Sequence, residues 1–289
     1  MCRPGKYFYP LLFIFILLIS SCTKETSEAG NDYNPAIAKT LMNEKYGAGT
    51  RQSADVYLPA NRNVNTPVVI MLHGGSWTEG DKADLNEVIN LMRNQFPQAA
   101  FINMNYTYAA NTPSTILPAQ MNDIEAMIIY LDAKRSLWQV SDKTGLAGVS
   151  AGAHLGLLYS YAYDPGKKVK CVVSIVGPTD FSDPFYTGNL LFQAIASNLL
   201  GKTWAQDPDL HRSASPALRV TATSPPTFMA YGRLDPLVPV SNAETLKTKL
   251  TLNSIVYTYV EYPNEGHEFT QTAINDVAPK VVNFLKSQL

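Results

Sequence analysis

Five small residues near the middle of the chain, Gly148-Val149-Ser150-Ala151-Gly152, have the Gly-x-Ser-x-Gly form of a nucleophile elbow. In this motif a serine lies at a sharp turn between a strand and a helix, with its hydroxyl exposed. The turn brings backbone segments so close together that side chains at the flanking positions would collide, which glycine avoids. We therefore predict that Ser150 is a nucleophile; the alternative is a serine in an ordinary surface turn.

A serine hydroxyl becomes a good nucleophile only when a base removes its proton, and that base is usually a histidine oriented by a carboxylate. Asp235 and His267 follow Ser150 in the chain, each shortly after a predicted strand. The order Ser, Asp, His is that of the hydrolases that carry such an elbow. We predict that His267 is the base and that Asp235 orients it, with Asp180 as the alternative acid.

The other three histidines are predicted to be structural. His73 belongs to a glycine-rich loop, His154 lies one helical turn after Ser150, and His211 lies in a long irregular stretch. The loop His73-Gly74-Gly75-Ser76-Trp77 directly follows an apolar strand, and its glycines allow backbone N–H groups to face a ligand.

The elements that must position these residues are strands that alternate with helices. This order predicts an α/β fold with a mostly parallel sheet covered on both faces, in which ligands bind at the carboxyl ends of the strands. His73, Ser150, Asp235 and His267 all lie just after a predicted strand. We predict a single domain over residues 34–289. The predicted strands are 55–59, 68–72, 100–105, 145–149, 170–176, 227–231 and 254–261; the helices are 34–46, 84–96, 119–138, 151–163, 241–250 and 270–288; and 181–216 is an irregular, lid-like excursion.

Taken together, these motifs resemble those of α/β-hydrolases of the serine esterase type. More narrowly, the chain resembles acetyl and feruloyl esterases whose oxyanion motif reads His-Gly-Gly-x-Trp followed by Gly-Asp-Lys. The resemblance covers roughly residues 50–289. Besides the loop at 73–77, the matching motifs are Gly80-Asp81-Lys82, Ser150-Ala151-Gly152-Ala153-His154-Leu155, Ala214-Ser215-Pro216, Asp235-Pro236-Leu237-Val238-Pro239 and Gly266-His267.

The resemblance implies a serine carboxylic-ester hydrolase that works through an acyl-enzyme and needs no cofactor. Its substrates would be acetyl or feruloyl side groups of polysaccharides or oligosaccharides. The backbone N–H groups of Ala151 and of Gly74 or Gly75 would hold the oxyanion. Two alternatives stay open: an amidase or peptidase of the same fold, and a non-catalytic, lipid-anchored glycan-binding protein on that fold.

Several side chains near the predicted site are candidates for a substrate pocket: Ser76, Trp77, Tyr106 and Tyr108. Ser76 stands where many relatives have glycine, and we expect it to narrow the pocket. The alternative for the aromatic residues is an ordinary place in the core. No two histidines have the spacing of metal ligands, so we predict no metal site.

The amino terminus has the character of a targeting segment. Arg3 and Lys6 precede an apolar run, and the sequence before Cys22 resembles a bacterial lipobox. We predict a lipoprotein signal peptide at 1–21, lipidation of Cys22 and a flexible tether at 22–33. The mature protein would be anchored by lipid in the cell envelope, facing the periplasm or the surface; the alternative is a secreted chain in which Cys22 is incidental.

Composition excludes some other classes of protein. Of 289 residues, 46% are hydrophobic and 16% are charged, and the formal net charge is -1. These values are ordinary for a globular protein with a large core. Without a basic stripe the chain is not expected to bind nucleic acid, and the sequence predicts no particular oligomeric state.

Overall fold

Eight strands form one sheet, in the order β1-β2-β4-β3-β5-β6-β7-β8, within the part of the chain that the structure describes. The structure is a computed structural model that describes Met1 and residues 33–289. Strand β2 pairs antiparallel with β1 and with β4, and every pairing from β4 through β8 is parallel. The strands are β1 (Lys39–Lys45), β2 (Ser53–Leu58), β3 (Val68–Leu72), β4 (Ala100–Met104), β5 (Thr144–Val149), β6 (Val169–Ile175), β7 (Thr227–Gly232) and β8 (Tyr257–Tyr262).

Helices cover both faces of this sheet, which confirms the predicted fold class. In β3, the side chains of Val68, Ile70 and Leu72 enter one core, and those of Val69 and Met71 enter the other. Such burial on both faces explains the unbroken apolar run of β3. The helices are α1 (Asn86–Gln95), α2 (Ala119–Trp138), α3 (Ala151–Leu158), α4 (Pro184–Thr187), α5 (Leu190–Leu200), α6 (Pro208–Ser213), α7 (Val240–Leu252) and α8 (Gln271–Gln288).

The two faces carry different helices. Buried side chains of α2, α3 and α7 belong to the first core, and those of α1 and α8 belong to the second. A π-helical turn, Tyr159–Tyr163, continues α3, and 3₁₀ turns occur at Lys82–Leu85 and Pro216–Arg219. Among the described residues, no helix combines the length and the apolar character needed to cross a membrane. Apart from Met1, the predicted signal peptide at 1–21 lies outside the described residues, as do the lipidation site Cys22 and nearly all of the tether at 22–33.

The predicted helix at 34–46 is wrong. This segment forms β1, which pairs antiparallel with β2, and the side chain of Tyr46 at its end donates a hydrogen bond to the carbonyl of Asn105. All seven side chains of β1 are exposed or half-buried. An edge strand of this kind lacks the apolar alternation that identifies strands in a sequence, so pairing with β2 decides its conformation.

The start of α1 also differs from the prediction. The predicted helix 84–96 would begin with Asp84 and Glu87 as a capping pair, and the structure has no such pair. Instead, Asp81 caps the 3₁₀ turn Lys82–Leu85 through the N–H of Ala83, and Asp84 accepts the N–H of Asp81 in return. The α-helix begins two residues after Asp84. The capping box is therefore present, but it is displaced by one turn toward the amino terminus.

The prediction that residues 181–216 are irregular is wrong. This segment folds into α4, α5 and α6. Side chains of Asp183, Asn189 and Asp207 cap these three helices in turn. Backbone hydrogen bonds from Asn111 to Asn198 and from Leu117 to Leu199 join α5 to the loop before α2. Frequent turn residues hid these short helices, because Asn and Asp serve both as turn residues and as helix caps.

Candidate active site

Ser150 lies at the sharp turn between β5 and α3. Its backbone has φ 52° and ψ -120°, a strained conformation for a residue with a side chain. Neighbouring backbone holds it there, because the N–H of Ser150 donates to the carbonyl of Ile175 at 2.8 Å, and the carbonyl of Ser150 accepts the N–H of His154 at 3.0 Å. This is the strand-turn-helix geometry of a nucleophile elbow.

The two flanking glycines are required by close backbone contacts. A Cβ atom at Gly148 would lie 2.4 Å from the carbonyl carbon and oxygen of Gly152. A Cβ atom at Gly152 would lie 2.3 Å from the carbonyl oxygen of Leu72 and 2.4 Å from that of His73. The elbow therefore packs against the end of β3, where the glycine-rich loop begins.

The structure brings Ser150, His267 and Asp235 together in one hydrogen-bonded chain, although they lie far apart in sequence. Nε2 of His267 is 2.9 Å from Oγ of Ser150, and Nδ1 of His267 is 2.7 Å from Oδ2 of Asp235. An acceptor carboxylate at Nδ1 leaves Nε2 unprotonated in the neutral ring. In this tautomer the imidazole can accept the proton of the Ser150 hydroxyl.

Asp235 is held rigidly in its position. Its side chain is fully buried, and its other oxygen, Oδ1, accepts the N–H groups of Leu237 and Val238 at 2.8 and 2.9 Å. The alternative acid, Asp180, instead accepts the N–H and the hydroxyl of Ser182. The geometry therefore places Asp235, and not Asp180, against His267.

The glycine-rich loop lies beside Ser150. A Cβ atom at Gly74 would be 3.4 Å from Cβ of Ser150, and Gly75 has φ 109°, a conformation that favours glycine. The carbonyl of Gly75 accepts the N–H groups of Thr78 and Glu79. Within residues 33–289, the N–H groups of Gly74 and Gly75 have no protein acceptor. Ala151 is the first residue of α3, so its N–H has no partner within the helix.

Hydrogen bonds and a ring stack around His73 hold the glycine-rich loop in its conformation. Nδ1 of His73 donates to the carbonyl of Gly74 at 2.6 Å, and the Arg51 guanidinium lies 3.3 Å from Nε2 of the same ring. Burial of His73 lowers its pKa, and the neighbouring Arg51 acts in the same direction. The ring of Tyr106 stacks on His73, and the Tyr106 hydroxyl donates to the His73 carbonyl at 2.9 Å.

The three histidines predicted to be structural all lie in the protein interior. His73, His154 and His211 are at most 1% exposed. Their rings contact the backbone carbonyls of Gly74, Ala214 and Lys202, respectively. None of these three rings forms a hydrogen bond with the side chains of Ser150, His267 or Asp235.

Two cavities open beside Ser150. The larger has a volume of about 550 Å³ and the smaller about 70 Å³. Ser76, Ser150, Leu237 and His267 line both of them. Ser150 therefore lies where the two cavities meet.

The predicted pocket residues have different positions in the structure. Ser76 lines both cavities and Trp77 lines the smaller one. Tyr106 is fully buried under the loop, and Tyr108 stacks on Arg51 and donates its hydroxyl to the carbonyl of Gly80. Tyr106 and Tyr108 therefore support the loop and do not line either cavity.

Most residues that line the larger cavity, among them Phe269 and Ile274, were not predicted from the sequence. In the sequence, the apolar side of α8 has the pattern of an ordinary buried helix face, and nothing distinguishes a cavity wall from a packed core. Arg51 was also missed. Over residues 33–289, no three His, Cys, Asp or Glu side chains cluster as metal ligands would.

The sheet order, the elbow and the loop beside it define this chain as an α/β-hydrolase. A family model described as BD-FAE matches residues 54–250. The chain belongs to this family.

Curated relatives include esterases. Esterase LipC of Mycobacterium tuberculosis is 27% identical over 245 residues, which are 78% of this chain and 58% of LipC. Esterase LipQ of the same organism is 25% identical over 266 residues, 83% of this chain and 60% of LipQ. Kynurenine formamidase of Salmo salar is 28% identical over 131 residues, 45% of this chain and 41% of the relative. The chain spans about three fifths of the length of the two mycobacterial esterases.

Solved structures share the fold. A truncated form of a carbohydrate esterase from gut microbiota superposes with a TM-score of 0.74 at 20% identity, covering 88% of this chain and 98% of that one. EstE1, a thermophilic carboxylesterase cloned from a metagenomic library, superposes with a TM-score of 0.71 at 18% identity, covering 91% and 92%. At these identities the likeness shows the α/β-hydrolase fold.

Proposed function

We propose that this chain is a serine ester hydrolase. One observation carries the proposal: a serine in a strained elbow is hydrogen-bonded to a histidine, and this histidine is hydrogen-bonded to a buried carboxylate. The similarity to mycobacterial esterases supports it.

In the proposed reaction, Oγ of Ser150 attacks the ester carbonyl carbon while Nε2 of His267 takes the serine proton. Asp235 keeps the imidazole in the required tautomer and stabilises the imidazolium that forms. When the tetrahedral intermediate collapses, His267 returns the proton to the leaving alcohol. Water then attacks the carbonyl carbon of the acyl-enzyme while His267 takes one of its protons. As the carboxylic acid departs, His267 returns this proton to Oγ of Ser150 and the free enzyme is restored.

The oxyanion of the intermediate would be held by the N–H of Ala151 and by that of Gly74 or Gly75. These donors belong to the first turn of α3 and to the loop beside it, so the partial positive charge of the helix N-terminus adds to the stabilisation. Loss of one such donor typically costs about 2.7 to 4 kcal/mol of transition-state stabilisation.

Hydrolysis of para-nitrophenyl acetate by the wild type and by Ser150→Ala tests the proposal. We expect the variant to lose at least about 10³-fold in kcat, as removal of a nucleophilic serine does elsewhere. Ser136→Ala, on the exposed side of α2, is the control and should keep wild-type activity. Full hydrolysis by Ser150→Ala would show that another residue is the nucleophile.

The finer proposal is that the enzyme removes acetyl or feruloyl groups from polysaccharides or oligosaccharides. Membership of the BD-FAE family and the structural likeness to a carbohydrate esterase support it. A screen of acetylated xylan, a feruloylated oligosaccharide and simple aryl esters tests this substrate class. Turnover restricted to the simple esters would contradict it.

Amide hydrolysis is a second candidate, favoured by the similarity to kynurenine formamidase. Side-by-side turnover of an acetyl ester and the matched acetanilide distinguishes the two. A fluorophosphonate that labels Ser150 would in turn exclude the non-catalytic glycan-binding alternative, since labelling needs an activated serine.

We also propose that residues 1–21 are removed, that Cys22 carries the lipid anchor, and that residues 22–33 tether a domain at 34–289 to the cell envelope. Support comes from the basic residues, the apolar run and the lipobox-like sequence before Cys22. Expression with a radiolabelled fatty acid should label the wild type in the membrane fraction and leave Cys22→Ser unlabelled. Equal labelling of both proteins would place the lipid elsewhere.

A further inference from the structure

The larger cavity beside Ser150 reaches down to the sheet between α1 and α8. Its floor consists of side chains from three neighbouring strands, and the two helices supply its walls. The side chains of this floor are at most 3% exposed, so they are nearly closed off from solvent. The floor is formed by Met71, Ala147 and Val173. The walls include Val88 and Met92 of α1 and Ile274, Val277 and Ala278 of α8.

The cavity has an apolar interior and acidic residues at the surface. Glu79, Asp84 and Glu268 line it and are exposed, whereas no Lys or Arg is among its lining residues. One Asp84 oxygen accepts the N–H of Asp81, and the structure gives the side chains of Glu79 and Glu268 no protein partner. Three carboxylates without a facing cation create a negative potential at the entrance.

The smaller cavity lies on the side of Trp77 and Ala151. Its volume, 70 Å³, is much smaller than the 550 Å³ of the larger cavity. Phe185, Phe192 and Ile195 from the helices of 181–216 line it. The smaller cavity therefore has room for a much smaller group than the larger cavity has.

We infer that the site selects unsymmetrical esters, with a bulky apolar group between α1 and α8 and a group of acetyl size in the smaller cavity. We also infer that the three carboxylates exclude bulky groups that carry negative charge. A bulky apolar group gains free energy when it leaves water for the apolar interior. An anionic group is repelled by the negative potential at the entrance. This inference rests on the proposed function, because it places the ester at Ser150.

A set of four esters tests the size rule. 2-Naphthyl acetate and methyl 2-naphthoate each pair a bulky side with a small one; 2-naphthyl hexanoate is large on both sides and vinyl acetate is small on both. We expect one of the first two esters to have a kcat/KM at least tenfold above both of the others. If 2-naphthyl hexanoate were the best substrate, or equal to the best, the size rule would be overturned.

Filling the cavity tests its location. Ala278→Phe should lower, by at least tenfold, the ratio of kcat/KM for the preferred unsymmetrical ester to that for vinyl acetate. Asn283→Phe adds the same ring to an exposed position of α8 and should leave the ratio unchanged. Ile274→Trp, nearer the entrance, is the second variant should Ala278→Phe fail to fold. An unchanged ratio in a folded cavity variant would overturn the assignment.

Charge is tested with 2-naphthyl acetate and its 6-sulfonate at low ionic strength. We expect the sulfonate to reduce kcat/KM at least tenfold in the wild type and less than threefold in the double variant Glu79→Gln/Glu268→Gln. Salt should weaken the discrimination, because the Debye length falls to about 10 Å at 0.1 M. Equal turnover of both esters by the wild type would overturn the charge rule.

Failure of the proposed function gives a different result from failure of this inference. If Ser150 is not a nucleophile, a small fluorophosphonate leaves the wild type unlabelled and all four esters remain intact. If only the inference is wrong, the wild type is labelled and hydrolyses the esters. The expected preference among the four esters, the effect of Ala278→Phe and the discrimination against the sulfonate are then not observed.

Discussion

The indole N–H of Trp77 donates a hydrogen bond to Nδ1 of His154, 3.1 Å away. Because Nδ1 accepts, the hydrogen of the neutral ring lies on Nε2, which donates to the carbonyl of Ala214 at 2.9 Å. His154 thereby joins the end of the glycine-rich loop, the helix that follows Ser150 and the end of the 181–216 segment. A proton on Nδ1 would face the Trp77 N–H and break the first of these bonds.

Stability should therefore fall in mild acid. Complete burial lowers the pKa of His154 to about 4, although the bond to Ala214 acts in the opposite direction. In the unfolded chain the pKa is about 6.5, so between these values the unfolded state binds the extra proton. The free energy of unfolding is highest above pH 6.5 and should drop by about 2 kcal/mol from His154 alone between pH 7 and pH 5.

Urea unfolding of the wild type and of His154→Gln at both pH values measures this contribution. The difference between pH 7 and pH 5 should be about 2 kcal/mol smaller in the variant. His73 and His211 are unchanged in both proteins, so their titration cancels. An equal loss of stability in the two proteins would mean that His154 is not the titrating group.

Asp235→Asn should lower kcat by about 10³- to 10⁴-fold with little effect on the fold. The amide keeps the size of the side chain and an acceptor for the N–H groups of Leu237 and Val238, but it no longer holds His267 in the tautomer that accepts a proton. Asp180→Asn is the matched control, since Asp180 contacts Ser182 and not His267. Steady-state kinetics with para-nitrophenyl acetate, together with melting temperatures, check both variants; a larger loss from Asp180→Asn would contradict the assignment.

Gly152→Ala should abolish most activity, because the new Cβ atom would lie 2.3 Å from the Leu72 carbonyl and force α3 away from β3. Overpacking of this kind typically costs about 1 to 3 kcal/mol or more. Gly156→Ala, one turn further along α3, meets only side-chain atoms, with Cδ1 of Leu72 nearest at 3.3 Å. It should remain active. Comparable activity and melting temperature in the two variants would show that the elbow tolerates a side chain.

Lys82→Met should destabilise the fold by about 3 to 5 kcal/mol, because it leaves the carboxylate of Asp55 buried without its partner. The two charged groups are 2.6 Å apart, and both side chains are at most 9% exposed. Asp55→Asn/Lys82→Met removes the charge while keeping an acceptor for the N–H of Asn43, so it should be more stable than the single variant. Urea unfolding of the three proteins checks the order; a double variant less stable than Lys82→Met would contradict it.

Much of the fold was predictable, because its signals are local. The apolar run of β3 and the strand-turn-helix context of Ser150 each depend on residues within about ten positions of one another. The segment 34–46 was not predictable in this way, because its side chains are mostly exposed and its strand pairing depends on β2. The short helices of 181–216 were hidden by capping residues that also occur in turns.

For the candidate site, the sequence by itself determined which residue types are present and in what order: a serine between two glycines, two acids that follow strands, and a histidine after the last strand. Only the tertiary structure decided between Asp180 and Asp235, since that choice depends on distances between residues separated by 32 positions or more. It also decided that Tyr106 and Tyr108 support the loop, and that a large, mostly apolar cavity adjoins Ser150. Cavities form where side chains from distant elements fail to meet, and no local pattern in a sequence records that.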